Sequence, residues 1–384
     1  MTIRSKSSKP LPDNVSRRDF FGRFTAAAGC AVTGAVTAPF VLAGEGATLS
    51  EEKPPVRIGI LGLGHRGLEL VDACLKIPAF YPVAFHDPER STISRCNARF
   101  QRAGRPLPRS EANESELIQA EDIDALIIAT PSDLHASQIQ AAIDSGKHIL
   151  TEKPVALSHH QLLTLLPKIE SLDRQVFMVD ISRRFHPART NLIQFLRANH
   201  LGKLVDVQAS WTHPQGPPRG RDDWMLNPSR SGDWLTEHGD HLWDLLMDLH
   251  PDLPEVTSAR HLANHGQTSL FWAVGLQWQD GASAQVRHSL LPGSNFASPG
   301  LSVLAQYEKG LVDLISGRVS ATTAMPASTI FPKEFDTTTF MMSTFLDRIR
   351  SSDNHVLTLQ ANHQECRRAR SIDDLRVNIH SHFS

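Results

Sequence analysis

Val56-Arg57-Ile58-Gly59-Ile60-Leu61-Gly62-Leu63-Gly64-His65-Arg66-Gly67 decides how the chain is read. An apolar, strand-like run feeds straight into Gly62-x-Gly64-x-x-Gly67, and Leu68-Glu69-Leu70-Val71 continues with a helical look. In a strand–turn–helix nucleotide site each glycine has its own task. Gly62 permits the tight turn, Gly64 lets a pyrophosphate approach the backbone, and Gly67 lets helix and strand pack closely. The helix N-terminus adds free N–H groups and a partial positive charge. His65 and Arg66 share the turn and are counted with its cofactor contacts.

Working outward, Tyr81-Pro82-Val83-Ala84-Phe85-His86-Asp87-Pro88 reads as a second short strand ending in an acid. A carboxylate at Asp87 can accept both ribose hydroxyls of an adenosine and repels a 2′-phosphate, which favours NAD over NADP. Arg90 keeps NADP open, and Asp87 equally suits a turn before proline. Asp124-Ala125-Leu126-Ile127-Ile128-Ala129-Thr130 is an uninterrupted apolar run, as expected of a strand buried on both faces. It turns at Thr130-Pro131-Ser132-Asp133-Leu134-His135 into a helix expected from about Ala136 to Ser145, closed by Gly146. His148-Ile149-Leu150-Thr151 is the next strand, and Glu152-Lys153-Pro154 leaves its C-terminal end. Strands alternating with helices predict an α/β, doubly wound parallel sheet. Ligands of such sheets lie beyond the carboxyl ends of the strands, so Thr130, Pro131, His135, Glu152 and Lys153 are expected beside the cofactor.

With 384 residues the chain has room for two domains with full cores. Its formal net charge of −2 gives no general pull toward nucleic acid or anionic membrane. The four cysteines, Cys30, Cys74, Cys96 and Cys366, are scattered, so neither a disulfide scaffold nor a thiolate metal site is expected.

Residues 1–43 read as an export signal. Ser16-Arg17-Arg18-Asp19-Phe20-Phe21 is a twin-arginine pattern, followed by a mild apolar region and by Val41-Leu42-Ala43, which offers cleavage after Ala43. The twin-arginine export machinery is therefore an expected partner, and the periplasm or another exported location the expected destination. An unprocessed amphipathic tail is the plainer alternative. Residues 44–55 form a polar, proline-containing linker.

Three motifs together resemble the glucose–fructose oxidoreductase/inositol dehydrogenase (Gfo/Idh/MocA) family. They are Gly62-x-Gly64-x-x-Gly67, Ala129-Thr130-Pro131 followed by His135, and Glu152-Lys153-Pro154-Val155-Ala156-Leu157. Ile181-Ser182-Arg183-Arg184-Phe185-His186-Pro187 is similar to that family's Arg-Phe-x-Pro segment, which opens the second domain. The resemblance runs from about Val56 to Ile372. It implies a Rossmann domain over 56–181, then an α+β domain over 182–384 with a large, open, mostly antiparallel sheet, whose exposed face commonly serves oligomer contacts. A homo-oligomer is expected on that ground. A composition shift agrees with the boundary, because all six tryptophans lie between Trp211 and Trp278.

The chemistry of the second domain centres on Trp234-Leu235-Thr236-Glu237-His238-Gly239-Asp240-His241-Leu242-Trp243-Asp244. Leucines at helical spacing place a buried helix start near Gly239, with Glu237 and His241 on one side of it. The family resemblance implies an Asp-x-x-x-His pattern here, with the histidine as acid/base; this chain carries Glu237 in place of the aspartate. Lys153, His241 and Glu237 are thus the expected catalytic residues, with Glu237 orienting His241 or sharing its proton. Lys153, Arg184, His238 and His241 are the expected substrate contacts. Metal ligation by Glu237-His238-x-x-His241 lacks a third ligand fixed by spacing, so no metal is expected. A hydrogen-bonded core histidine is the bland reading of His241.

The function expected is an exported NAD(P)-dependent oxidoreductase acting on a sugar, polyol or related hydroxy compound, with the cofactor retained through turnover. A glycosidase that uses the nicotinamide transiently is the rival, although the Trp234–Asp244 stretch does not resemble the Tyr-Pro-Thr-His segment of that branch. A non-catalytic nucleotide- or sugar-binding protein is the other alternative.

Overall fold

The computed structural model describes residues 53–215, 224–263, 269–292, 300–321 and 335–383. The expected export signal, its expected cleavage point after Ala43 and most of the expected linker lie outside the described residues. Residues from Pro54 onward form one compact unit.

The first layer alternates as the apolar runs require. Strand β1 (Val56–Leu61) leads into helix α1 (His65–Lys76), then β2 (Phe80–His86) and α2 (Arg90–Arg102). There follow β3 (Arg109–Ser110), α3 (Glu114–Gln119), β4 (Ala125–Ile128), α4 (Ser132–Asp144), β5 (His148–Glu152), α5 (His159–Glu170) and β6 (Phe177–Asp180). The six strands pair in the order β3-β2-β1-β4-β5-β6, and every pair is parallel. The order in which successive strands are laid down reverses between β1 and β4, and that switch point opens a crevice beyond the strand ends. Helix α4 begins at Ser132, four residues before the expected Ala136, because Pro131 fits the position just before a helix start.

A 3-10 turn (Ser182–Phe185) and α6 (Pro187–Arg197) lead to a second sheet. Its members are β7 (Leu204–Gln215), then after α7 (Pro228–Ser231) and α8 (Trp234–Leu249) come β8 (Glu255–Ala263), β9 (Ser269–Gln277) and β10 (Ser283–Pro292). Strands β11 (Gly300–Tyr307), β12 (Gly310–Asp313) and β13 (Arg318–Ala321) complete it. The order is β13-β12-β11-β7-β10-β9-β8, antiparallel throughout except for the parallel pair β7 and β10. One face packs on α8, where Trp243 meets Trp272 at 5.4 Å between ring centroids.

Helix α8 starts at Trp234, not near Gly239. The Asp233 side chain caps it by accepting from the Thr236 N–H at 2.8 Å, and Glu237 sits in the first turn, where a carboxylate suits the helix dipole. Helices α9 (Thr337–Arg350) and α10 (His355–Ser381) then return to the first sheet. Met341, Met342 and Phe345 of α9 share a core with Ile58 and Phe80.

Candidate active site

The glycine turn has the shape of a cradle. Gly62 holds φ +87, and a side chain there would run into the Ala129 carbonyl at 2.4 Å. A Cβ on Gly67 would lie 2.1 Å from the Gly62 carbonyl oxygen, so helix and strand can touch here only through glycine. At Gly64 a Cβ would meet nothing within 4 Å. That open space lies at the start of α1, which has no side-chain cap and no acidic residue in its first turn. The start of the helix is thus free to take an anion, and the turn fits a dinucleotide's pyrophosphate. At the end of β2, Asp87 accepts from the Leu63 N–H at 2.6 Å and the Glu89 N–H at 2.8 Å, which fixes the carboxylate against the turn. His65 is exposed and lies 3.5 Å from Glu69.

Beyond β4 and β5 the two turns lock together through His135. Its ring nitrogens face the Pro154 carbonyl at 2.7 Å and the Thr130 carbonyl at 2.9 Å, and the side chain is buried. His135 therefore positions the turns and does not itself present a group to the cofactor. Thr130 donates to Gln138 at 2.6 Å. Arg66 is likewise committed within the protein: it forks onto Asp180 at 2.6 and 2.8 Å, reaches Glu69 at 2.7 Å, and lies 3.2 Å from Glu152. Arg66 thus ties the first turn of α1 to the ends of β5 and β6. Burial, with Asp180 nearby, pushes the Glu152 carboxyl up.

Lys153 reaches across to α8. Its ammonium donates to Glu237 Oε2 at 2.9 Å and to the Glu237 carbonyl oxygen, leaving one of its three N–H donors for another partner. Ser132, the first residue of α4, donates to the other carboxylate oxygen of Glu237 at 2.6 Å. Burial pulls the ammonium's proton affinity down, but Glu237 and Glu152 outweigh it and Lys153 stays charged. The carboxylate of Glu237 is therefore engaged by Lys153 and Ser132, and it orients the lysine where the sequence suggested it would orient His241. Ser132 escaped notice because a serine opening a helix is ordinarily only a local hydrogen-bonding residue.

One turn further along α8, His241 is half-buried, with its ring 5.6 Å from that of Trp211. Burial, then Lys153 and Arg183, push its proton affinity down to about 3 against the opposing pull of Asp244. The imidazole is therefore neutral and able to accept a proton. Asp240, between Glu237 and His241 in sequence, is buried, and burial raises its carboxyl to about 6. An acid inside an apolar helix was the signal that could have marked it.

Two expected substrate contacts are corrected. His238 is buried beside Trp211 and stacks on His288 at 5.3 Å, inside the aromatic cluster under the second sheet. Arg184 is held by Asp244 at 2.7 Å and Glu365 at 2.6 Å, so its guanidinium is part of an ion-pair network. A cavity of about 830 Å³ is walled in part by Arg66, Arg183, His186, Leu245 and Phe335, and neither Lys153 nor His241 is among the residues that line it. Leu245 stands one turn after His241 on α8.

Residues 56–180 match the Gfo/Idh/MocA family model, an oxidoreductase family with an NAD-binding Rossmann fold. The first domain is an NAD-binding Rossmann domain. The Gfo/Idh/MocA match ends at β6, and longer relatives carry the comparison further. A glycosyl hydrolase family 109 protein of Streptomyces niveus is 28% identical over 200 residues, covering 49% of this chain and 40% of that protein. An inositol 2-dehydrogenase of Rhodococcus erythropolis is 29% identical over 172 residues, covering 44% and 48%. The chain thus spans less than half the length of these relatives. Among solved structures, levoglucosan dehydrogenase in complex with NADH and levoglucosan has a TM-score of 0.68 at 16% identity, covering 85% of this chain and 98% of that one. A 3-ketoreductase of Actinomadura kijaniata in complex with NADP gives 0.68 at 18% identity, covering 84% and 98%. Both sheets of this chain therefore follow a fold shared with these two enzyme structures.

Proposed function

We propose that the chain is an NAD-dependent oxidoreductase of the Gfo/Idh/MocA family that acts on a CH–OH group of a sugar or polyol. The observation that carries this is the convergence of three elements: the open cradle at Gly64, the Lys153 ammonium bonded to Glu237, and a neutral His241 one turn along the same helix. The dehydrogenases among its relatives and structural neighbours support the substrate class. Asp87 at the end of β2 supports NAD over NADP.

Bound nicotinamide supplies the hydride acceptor or donor. In the oxidative direction His241 takes the hydroxyl proton, and the carbon that loses hydride becomes a carbonyl. The remaining N–H of Lys153 holds the substrate oxygen as negative charge develops on it. Glu237, fixed by Ser132, keeps the lysine in place. The Lys153→Met and His241→Asn variants should each lose about two to four powers of ten in kcat while still binding NAD. Wild-type turnover in either variant, followed as nicotinamide absorbance with a panel of sugars and polyols, would refute the assignment.

The twin-arginine pattern supports export, and an exported enzyme would keep its nucleotide through turnover. Protein recovered from the periplasm should carry it, and finding none would count against export with a retained cofactor. A second reading is a glycosidase that oxidises and re-reduces its substrate, supported by the names of several relatives. It predicts release of free sugar with no net NADH.

A further inference from the structure

The last turns of α10 grip both halves of the Lys153–Glu237 pair. Asp373, Arg376 and His380 follow at spacings of three and four, so they share one face of the helix. Asp373 accepts from Nδ1 of His159, the first residue of α5, at 2.6 Å. Arg376 donates to Asp373 and, at 3.4 Å, to the Ala156 carbonyl, three residues beyond Lys153. One turn on, His380 lies 2.9 Å from Asp233, the residue that caps α8.

Both ring nitrogens of His380 face acceptors. Nδ1 is 2.9 Å from the Arg376 carbonyl oxygen, and Nε2 is 2.9 Å from Asp233 Oδ2. A carbonyl and an ionised carboxylate cannot donate, so both bonds stand together only in the charged imidazolium. The other oxygen of Asp233 accepts from the Thr236 N–H at 2.8 Å, and the Asp233 carbonyl accepts from the Glu237 N–H at 2.8 Å. Glu237 in turn accepts from the Lys153 ammonium at 2.9 Å. A bonded path therefore runs without a gap from His380 to Lys153. The charged and titratable groups that share a cavity of about 430 Å³ with His380 are Asp233, His159, Asp373 and Arg376. Burial works against the His380 proton, but Asp233 and the Arg376 carbonyl outweigh it and raise its proton affinity. A raised affinity makes the contact complete below pH 6.5 and loses it as pH climbs through the raised value. The ring is exposed, so it exchanges its proton with solvent directly.

We propose that His380 is a positioning residue for the reaction: as an imidazolium it clamps the cap of α8, holds Glu237 in place against Lys153, and lets turnover fall when it gives up its proton in alkaline solution. The inference rests on the oxidoreductase reading above, and its test separates the two. NAD-loaded protein is followed from about pH 5.5 to 9 by NMR of the His380 ring, by melting temperature, and by nicotinamide absorbance with a panel of sugars and polyols. The His380 signal, assigned by its absence from His380→Gln, should titrate above 6.5. It should fall back toward 6.5 in Asp233→Asn, which keeps a capping oxygen without the charge. The wild-type kcat should drop by about three- to tenfold through that same titration, with KM little changed. His380→Gln should stay at the lower rate throughout. His380→Arg, whose charge does not titrate, should show no alkaline step in kcat or in melting temperature. A ring that titrates at or below 6.5 would overturn the proposal, as would an alkaline fall in kcat that persists in His380→Arg. So would a His380→Gln variant that melts earlier yet keeps the wild-type pH profile. The expected titration and melting steps with no absorbance change on any sugar or polyol would instead refute the redox chemistry and keep the clamp.

Discussion

His241 is a base whose proton affinity is set by its neighbours. An ordinary histidine titrates near 6.5, whereas burial together with Lys153 and Arg183 holds this one at about 3. A base works when deprotonated, so a lowered value moves the loss of activity to more acid solution. The kcat/KM for alcohol oxidation should therefore show no inflection from His241 between pH 8 and about 5. An inflection near 6.5 that vanishes in His241→Asn would contradict the geometry. Removing a neighbouring cation must act in the opposite sense: in Lys153→Met the His241 ring should titrate at higher pH, measurable by NMR whether or not turnover survives. The position of Lys153 just beyond the end of β5 was legible from its motif, and the spacing of four was enough to set His241 one turn beyond Glu237. The partner of Glu237 was not. Spacing of four places Glu237 and His241 on one side of a helix, but it is silent on a lysine arriving from another strand. His238 and Arg184 were misread for the same reason, since burial and ion pairing are settled by residues far away in sequence.

The glycine turn makes a sharper claim as an element than as a motif. Gly64 has an ordinary φ of −62 and open space where its Cβ would stand, so Gly64→Ala should fold with an unchanged melting temperature. Its methyl group would occupy the room left for a pyrophosphate, and NAD affinity should fall by about tenfold or more. Gly67→Ala has no such room and should destabilise the fold itself. Equal melting temperatures for the two variants would mean that the turn is not packed as described. A second element-scale claim concerns α8, where buried Asp244 accepts from Arg184, Arg189 and Arg368. These guanidiniums hold its carboxyl well below the usual range, although burial pushes the other way. Asp244→Asn would leave them without their shared charge and should cost about 3–5 kcal/mol in urea unfolding. The strands of the first sheet were legible as unbroken apolar runs, and Asp124–Thr130 is the plainest. The large antiparallel arrangement of the second sheet was foreseen only through family resemblance, because local β-rich runs do not say which strands pair. The start of α8 was missed because Asp233 was not read as a cap.

At the scale of the molecule, α10 joins what the sequence divides at residue 181. Cys366 packs in the core under the first sheet, while Ile372, Leu375 and Ile379 of the same helix pack under the second. Buried Asn362 takes the place of a strand partner at β6: it accepts from the Phe177 N–H at 2.9 Å and donates to the Leu172 and Gln175 carbonyls at 3.2 and 2.9 Å. Glu365 and Arg368 then enter the network around Arg184 and Asp244. A helix built into both cores couples their unfolding, so the two domains should melt as one. The sequence supplies the probe, since every tryptophan lies between Trp211 and Trp278 and fluorescence reports on the second domain alone. Asn362→Ala removes hydrogen bonds only from the first domain and strands buried backbone groups there, at a cost of about 2–3 kcal/mol. If α10 couples the cores, the tryptophan transition must shift in denaturant by as much as the far-ultraviolet circular dichroism. A tryptophan transition that stayed in place while the dichroism moved would mean that the second sheet stands without the first, and that the cleft between Lys153 and α8 is held by those side chains alone.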